Sequence, residues 1–152
     1  MDEGVRVTLR DDGEFFALLT GSFRRLVGRP LVPEPGLGPD WLYGQAPFAV
    51  LAHDTSPDPL FVYANRAAQA AFGYDWDEIV GLPSRFSAEA PERAKRQRLL
   101  DAVARDGFVA DYRGLRIAKS GRRFPIGDGI VWQLVDEAGR VRGQAATFPV
   151  TG

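Results

Sequence analysis

The chain has 152 residues, 45% of them hydrophobic and 26% charged, with a formal charge of −1 at pH 7. This length suits one domain plus a short extension, and the composition excludes a disordered polymer. The near-neutral charge removes bulk attraction to nucleic acid or anionic lipid, and the absence of cysteine excludes disulfides, thiolate metal sites, thiol nucleophiles and cysteinyl–flavin photochemistry.

The opening residues, MDEGVRVTLRDDGE, are charged and carry no apolar signal core. No apolar run approaches the ~20 residues that span a bilayer, so a cytoplasmic location is expected and no membrane partner. Asp11 to Gly28 reads as an amphipathic helix, with Asp11 and Glu14 at capping-box spacing. Phe15, Phe16, Leu19, Phe23, Leu26 and Val27 share one face at helical period. That face must fold back onto a sheet or pack against a second copy, so a homodimer through this N-terminal helix is one expectation. The run PEPGLG then reads as a linker. The expected division is residues 1–40 as helix and linker and residues 41–152 as the main domain.

Pro47 to His53 is a short apolar strand, and DTSPDP is turn chemistry before a second strand from Leu60 to Tyr63. Asn65 caps a helix from Arg66 to Phe72, and Gly73 ends it. Asp75 to Val80 makes a further short helix. The longest helix starts at Ser87 or Ala90 and ends at Gly107, with Leu99, Leu100 and Val103 as its apolar stripe. Strands follow over Phe108–Ala118, Arg123–Val135 and Val141–Val150. The connections within each strand group are short, so the pairing is antiparallel. The expected class is α+β: a five-stranded antiparallel sheet with helices on one face, preceded by the amphipathic helix. A sheet of this kind curls over a small pocket, which suits sensing or ligand binding better than catalysis.

Charge is uneven. From Arg85 to Arg123 there are eleven basic residues against five acidic ones. A solvated basic helix face explains most of this. Nucleic acid ranks last among partners, because no aromatic residues interleave with Arg93 to Arg98.

The segments APFAVLAHDTSPDPLFVYANRAAQAAF, LPSRFSAE, DYRGLRIAKSGRRFPI and VWQLVDEAGRVRGQAATF, with TGSFRRLVGRPLV upstream, cover the chain from about Gly21 to Phe148. In this order they resemble the bacterial stand-alone MEKHLA domain, a PAS-like module also found at the C-terminus of plant homeodomain–leucine-zipper regulators. The resemblance implies a PAS-like fold and a sensory or regulatory role, often through dimerisation, with a small molecule or a signalling protein as partner. With no output domain in the chain, the signal is expected to pass to a separate protein. The resemblance brings no catalytic residue and no established cofactor, so the cofactor is left unknown. It departs from better-understood PAS modules in having no cysteine for flavin chemistry and no histidine on the long helix to ligate haem.

Seven residues are candidates for a ligand pocket. His53, the only histidine, ends the first strand near Asp54 and Asp58 and is either a structural donor or part of a proton relay. No second histidine completes a transition-metal set. Alternation along Phe124, Ile126, Asp128, Ile130, Trp132 and Leu134 places Asp128 and Trp132 on the core face. Gly127 and Gly129 allow instead a bulge that would turn Asp128 to solvent. A buried Asp128 would need Arg116 or Arg85 as its partner. Tyr112 shares a face with Arg116. Gln144 lies on the last strand, where flavin-binding PAS domains use a glutamine against the ring edge. No catalytic motif occurs. The alternative is a small α+β-barrel isomerase or hydratase with Asp128 or His53 as general base and Tyr112 or Arg116 at an oxyanion.

Overall fold

A computed structural model describes residues 9–150. The charged first eight residues lie outside it. Helix α1 spans Gly13–Val27. Its N-cap is Asp12, not Asp11: the Asp12 carboxylate accepts from the Glu14 N–H at 3.1 Å. Gly28 closes it with φ 90°, a left-handed turn that glycine adopts without strain. The PEPGLG run leads into a short helix α2, Pro39–Gly44, an element the sequence does not signal, across the expected boundary between linker and main domain.

Strands β1 (Phe48–His53) and β2 (Phe61–Ala64) follow, then α3 (Arg66–Phe72), α4 (Trp76–Ile79), a 3-10 turn over Ser84–Ser87 and the long α5 (Ala90–Asp106). The chain closes with β3 (Phe108–Ile117), β4 (Arg123–Val135) and β5 (Val141–Pro149). The sheet order is β2-β1-β5-β4-β3, antiparallel at every pair. The five-stranded antiparallel sheet expected from the sequence is therefore present.

Both faces of the sheet are covered. On the inner face, Leu51, Phe61, Ile126, Val131 and Phe148 pack with Phe72 of α3, Ile79 of α4, and Leu99 and Val103 of α5. On the outer face, Val50, Tyr63, Ile130, Trp132 and Leu134 pack against Phe15, Leu19 and Phe23 of α1. Of the two destinations open to α1, it takes its own sheet. The Phe23 ring meets the Trp132 indole edge-on at 4.9 Å between centroids. Trp132 Nε1–H donates to the Leu19 carbonyl at 3.3 Å, and Ser22 Oγ both donates to and accepts from the Val135 backbone. The apolar stripe that a second copy would have buried is therefore occupied within the chain.

Asn65 ties the layers together. Its Oδ1 accepts from Ala68 N–H at 3.0 Å, capping α3, and from Val50 N–H at 2.9 Å. Its amide nitrogen donates to the Leu42 and Phe48 carbonyls, both at 3.0 Å. One buried side chain thus joins α2, α3 and β1.

Candidate functional site

Two facing bulges shape the inner face. Val109 pairs with Val131, Tyr112 with Gly129 and Gly114 with Ile126, so β3 carries one extra residue near Asp111 and β4 one extra near Asp128. Both aspartates have left-handed backbone, φ 56° and 52°, which a short polar side chain tolerates. The β4 bulge reverses the phase of the strand. Phe124 and Ile126 belong to the inner face, but beyond the bulge Val131 faces inward while Ile130, Trp132 and Leu134 face α1.

This corrects two expectations. Asp128 is exposed on the bulge, not buried among core residues, and it has no part in an ion pair with Arg116 or Arg85. Trp132 is fully buried, but against α1 on the opposite face, so it forms no wall of the inner pocket. Arg85 is a third correction: it stands half-exposed, bonded to both carboxylate oxygens of Asp58 at 3.2 Å.

The other four candidates meet. His53, Tyr112, Arg116 and Gln144 line one cavity of about 70 Å³ between the inner face, α5 and the Ser84–Ser87 turn. Phe61, Phe72, Leu99, Ile126 and Phe148 give it apolar walls. Sequence reading missed Arg96, Ser84 and Ser87, which also line it. Arg96 lies in a basic run that reads as solvent-facing. Its one available signal was register: it precedes Leu99 and Val103 by three and seven positions, on the buried stripe.

Arg96 and Arg116 are both buried, at 7% and 8% exposure. Arg96 Nη2–H donates to Ser84 Oγ. Arg116 donates to the Tyr112 hydroxyl and to the Leu115 carbonyl, both at 3.0 Å. Among the described residues neither guanidinium has a carboxylate within the 4.0 Å of an ion pair. Burial, with the charge of Arg116 adding to it, lowers Arg96 to about 10.

At the other end of the cavity, His53 Nδ1 lies 3.0 Å from the Asp54 carbonyl. A carbonyl can only accept, so Nδ1 carries the hydrogen and Nε2 is left as a bare acceptor. Burial holds His53 below its ordinary 6.5, and the charge of Arg96 acts in the same direction. Gln144 donates its amide N–H to the Leu100 carbonyl of α5 at 3.1 Å. That bond fixes the amide orientation and leaves Oε1. His53 Nε2 and Gln144 Oε1 are buried with no hydrogen-bond partner among the described residues.

The general-base alternative finds little support in this geometry. Asp128 is outside the cavity, and His53 has Gln144 opposite it in the β1–β5 register rather than a nucleophile or an acid.

Comparison with solved structures places the fold. The chain is similar to the PAS domain of a Colwellia psychrerythraea protein, with TM-score 0.62 and 14% identity over 72% of this chain and 91% of that one. It is similar to the light-state dimer of the fungal blue-light photoreceptor Vivid, with TM-score 0.59 and 21% identity over 86% of this chain and 92% of that one. It is also similar to the blue-light-activated histidine kinase EL346 of Erythrobacter litoralis, with TM-score 0.60 and 23% identity over 73% of this chain and 35% of that one. Comparison with curated proteins gives no match. The MEKHLA domain model matches residues 13–151, from the start of α1 to beyond the last strand, and the chain belongs to the MEKHLA domain family.

Proposed function

We propose that this protein is a small cytoplasmic sensory module of the PAS type, which binds a small molecule in the inner cavity and passes its occupancy to a signalling partner. The observation that carries this reading is the cavity itself: a mainly apolar space into which four side chains bring polar groups with incomplete hydrogen bonding. A core designed only for stability would fill that space and pair those groups.

The position of α5 supports the same reading. It closes the cavity with Arg96, Leu99 and Leu100. Its N-cap residue, Glu89, makes no capping side-chain bond. Such a helix can be held tighter by a ligand beneath it. The output is a homodimer that uses the solvent side of α1, or a separate protein. Among the described residues no helix is long and apolar enough to cross a membrane.

A flavin does not fit the cavity as it stands. Cofactor-sized ligands need roughly 300–1,000 Å³, against about 70 Å³ here. Arg96 and Arg116 line the cavity, and no cysteine is available for a covalent adduct.

Native mass spectrometry of the purified protein, with light scattering before and after a metabolite screen, tests the proposal. A stoichiometric small-molecule adduct, or a compound that raises the melting temperature and changes oligomeric state, supports it. A bare mass, no stabilising compound and an unvarying oligomeric state sink it.

A further inference from the structure

The polar groups of the cavity are not a random set. They divide into two kinds, and each kind lacks the complementary group. Two guanidinium groups bring positive charge into one apolar space whose lining holds no carboxylate, and among the described residues neither has one within ion-pair distance; Asp58 acts on Arg96 only from further away. Arg96 uses one of its five N–H groups on Ser84 and Arg116 two of its five, on Leu115 and Tyr112. A buried charge in this position calls for an opposite charge. The two orphaned atoms, His53 Nε2 and Gln144 Oε1, are both acceptors and call for a donor.

The two sets enter from different ends. Arg116 opposes Phe124 on β4, whereas Gln144 opposes Gln133, nine positions further along the same strand. Gln144 opposes His53 on β1, so the two acceptors are neighbours. Arg96, on α5, lines the same cavity and lies within electrostatic range of both Arg116 and His53. Apolar walls join them. At about 10–15 Å³ of such space per water, a cavity of about 70 Å³ takes roughly five to seven heavy atoms.

We propose that the ligand is a small organic anion, a short-chain carboxylate that also carries a hydroxyl or N–H group. Its carboxylate lies between Arg96 and Arg116, its carbon chain against the apolar walls, and its donor group at His53 Nε2 or Gln144 Oε1. This inference rests on the sensory reading above and specifies the chemistry of the same cavity. Guanidinium pairs favour planar carboxylates through two parallel N–H bonds, which suits the arginines better than lysines would.

Calorimetric titration with sodium lactate, propionate, lactamide, glycolate, 3-hydroxybutyrate and inorganic phosphate at fixed ionic strength separates the contributions. The hydroxycarboxylates are expected to bind at least tenfold tighter than propionate, which lacks the donor, and than lactamide, which lacks the charge. Arg96→Met is expected to weaken lactate binding more than tenfold. Gln144→Met is expected to cut the preference for lactate over propionate to less than threefold, and the melting curve of each variant confirms that it folds. Lactamide binding as well as lactate, or phosphate binding better than every carboxylate, overturns the inference. So does a native mass spectrum that shows an uncharged ligand, and in that case the sensory reading survives. A bare protein that no compound stabilises removes both.

Discussion

Arg96 offers a test that separates a waiting binding site from a structural core. Burial and the charge of Arg116 move its guanidinium well below its ordinary range, to about 10. At about 1.36 kcal/mol per tenfold change in proton affinity, keeping that group charged costs the fold about 3 kcal/mol. The unfolded chain holds the proton more tightly than the folded one, so the penalty is present in full at every pH below about 10, pH 7 included. Methionine matches the stem and removes the charge, and it orphans the Ser84 hydroxyl, which costs about 1–3 kcal/mol. Arg96→Met alone should then raise the ligand-free stability by about 0–2 kcal/mol. Arg96→Met with Ser84→Ala should raise it by about 2–3 kcal/mol, because no hydroxyl is left to satisfy. For a domain of this size that is a gain of about 4–12 °C in melting temperature. Urea titration of wild type, Ser84→Ala and the double variant in anion-free buffer measures it. A double variant less stable than Ser84→Ala alone would show that Arg96 holds the native fold together, and the reasoning about an unbalanced charge would be wrong.

Asn65→Ala removes four hydrogen bonds at once, three of them buried, and urea midpoints should report a loss of about 4 kcal/mol, at about 1 kcal/mol per bond; Asn65→Asp keeps the acceptor for Val50 and Ala68 but sets a buried carboxylate oxygen against the Leu42 and Phe48 carbonyls, so it should be no more stable than Asn65→Ala. Gly143→Ala should prevent folding or destabilise severely, because a Cβ there would lie 2.0 Å from the His53 carbonyl oxygen at φ 149°. Gly36→Ala, with nothing within 4 Å, is the matched control and should melt like wild type. His53 is held below 6.5 in the fold, so the unfolded chain takes up its proton first as pH falls, and stability is full above about pH 6.5 and declines below it. Denaturant midpoints at pH 7.5 and 5.5 should show a drop in wild type that His53→Asn makes smaller; an equal drop in both would place the acid sensitivity elsewhere.

The strands and their order were legible because their signals are local. The bounds of α3 and β4 were read to the residue, since Asn65 and Gly73 punctuate the helix and the Ser120-Gly121 turn precedes the strand. The Asp11 cap was misplaced by one residue because DD offers two carboxylates in succession. The failures on β4 have one cause. Alternation carries a side chain's facing only while the strand stays regular, and the bulge at Asp128 inserts a half-period. Gly127 and Gly129 flagged the bulge, but not which side of it keeps the original phase. Every β4 assignment past Asp128 was therefore reversed: Trp132 was read into the pocket and found under α1. Arg96 was missed for another reason. Its neighbours Arg93, Lys95 and Arg98 make a charged run that masks its register with Leu99 and Val103, the one local sign that it turns inward.

The same bulges explain how a cavity and an anchored helix can share two strands. β1 is buried at four successive positions because it is packed on both sides. β4 and β5 are likewise packed on both sides: Val131, Ala146 and Phe148 line the cavity, Ile130, Trp132 and Leu134 belong to the core under α1, and Ala145 touches both. A displacement of β4 toward or away from α5 therefore moves Trp132 and Val135, the two residues that hold α1 through Leu19 and Ser22. On the cavity side, the like charges of Arg96 on α5 and Arg116 on β3 repel each other across the space between them. A negative group placed there reverses the sign of that force. The resulting change at α1 needs no hinge, because well-packed layers transmit a shift instead of absorbing it. Such a shift should appear as altered protection of the α1 amides in hydrogen exchange when ligand is added. If only α5 amides change and α1 exchange is untouched, the two faces of the sheet act independently.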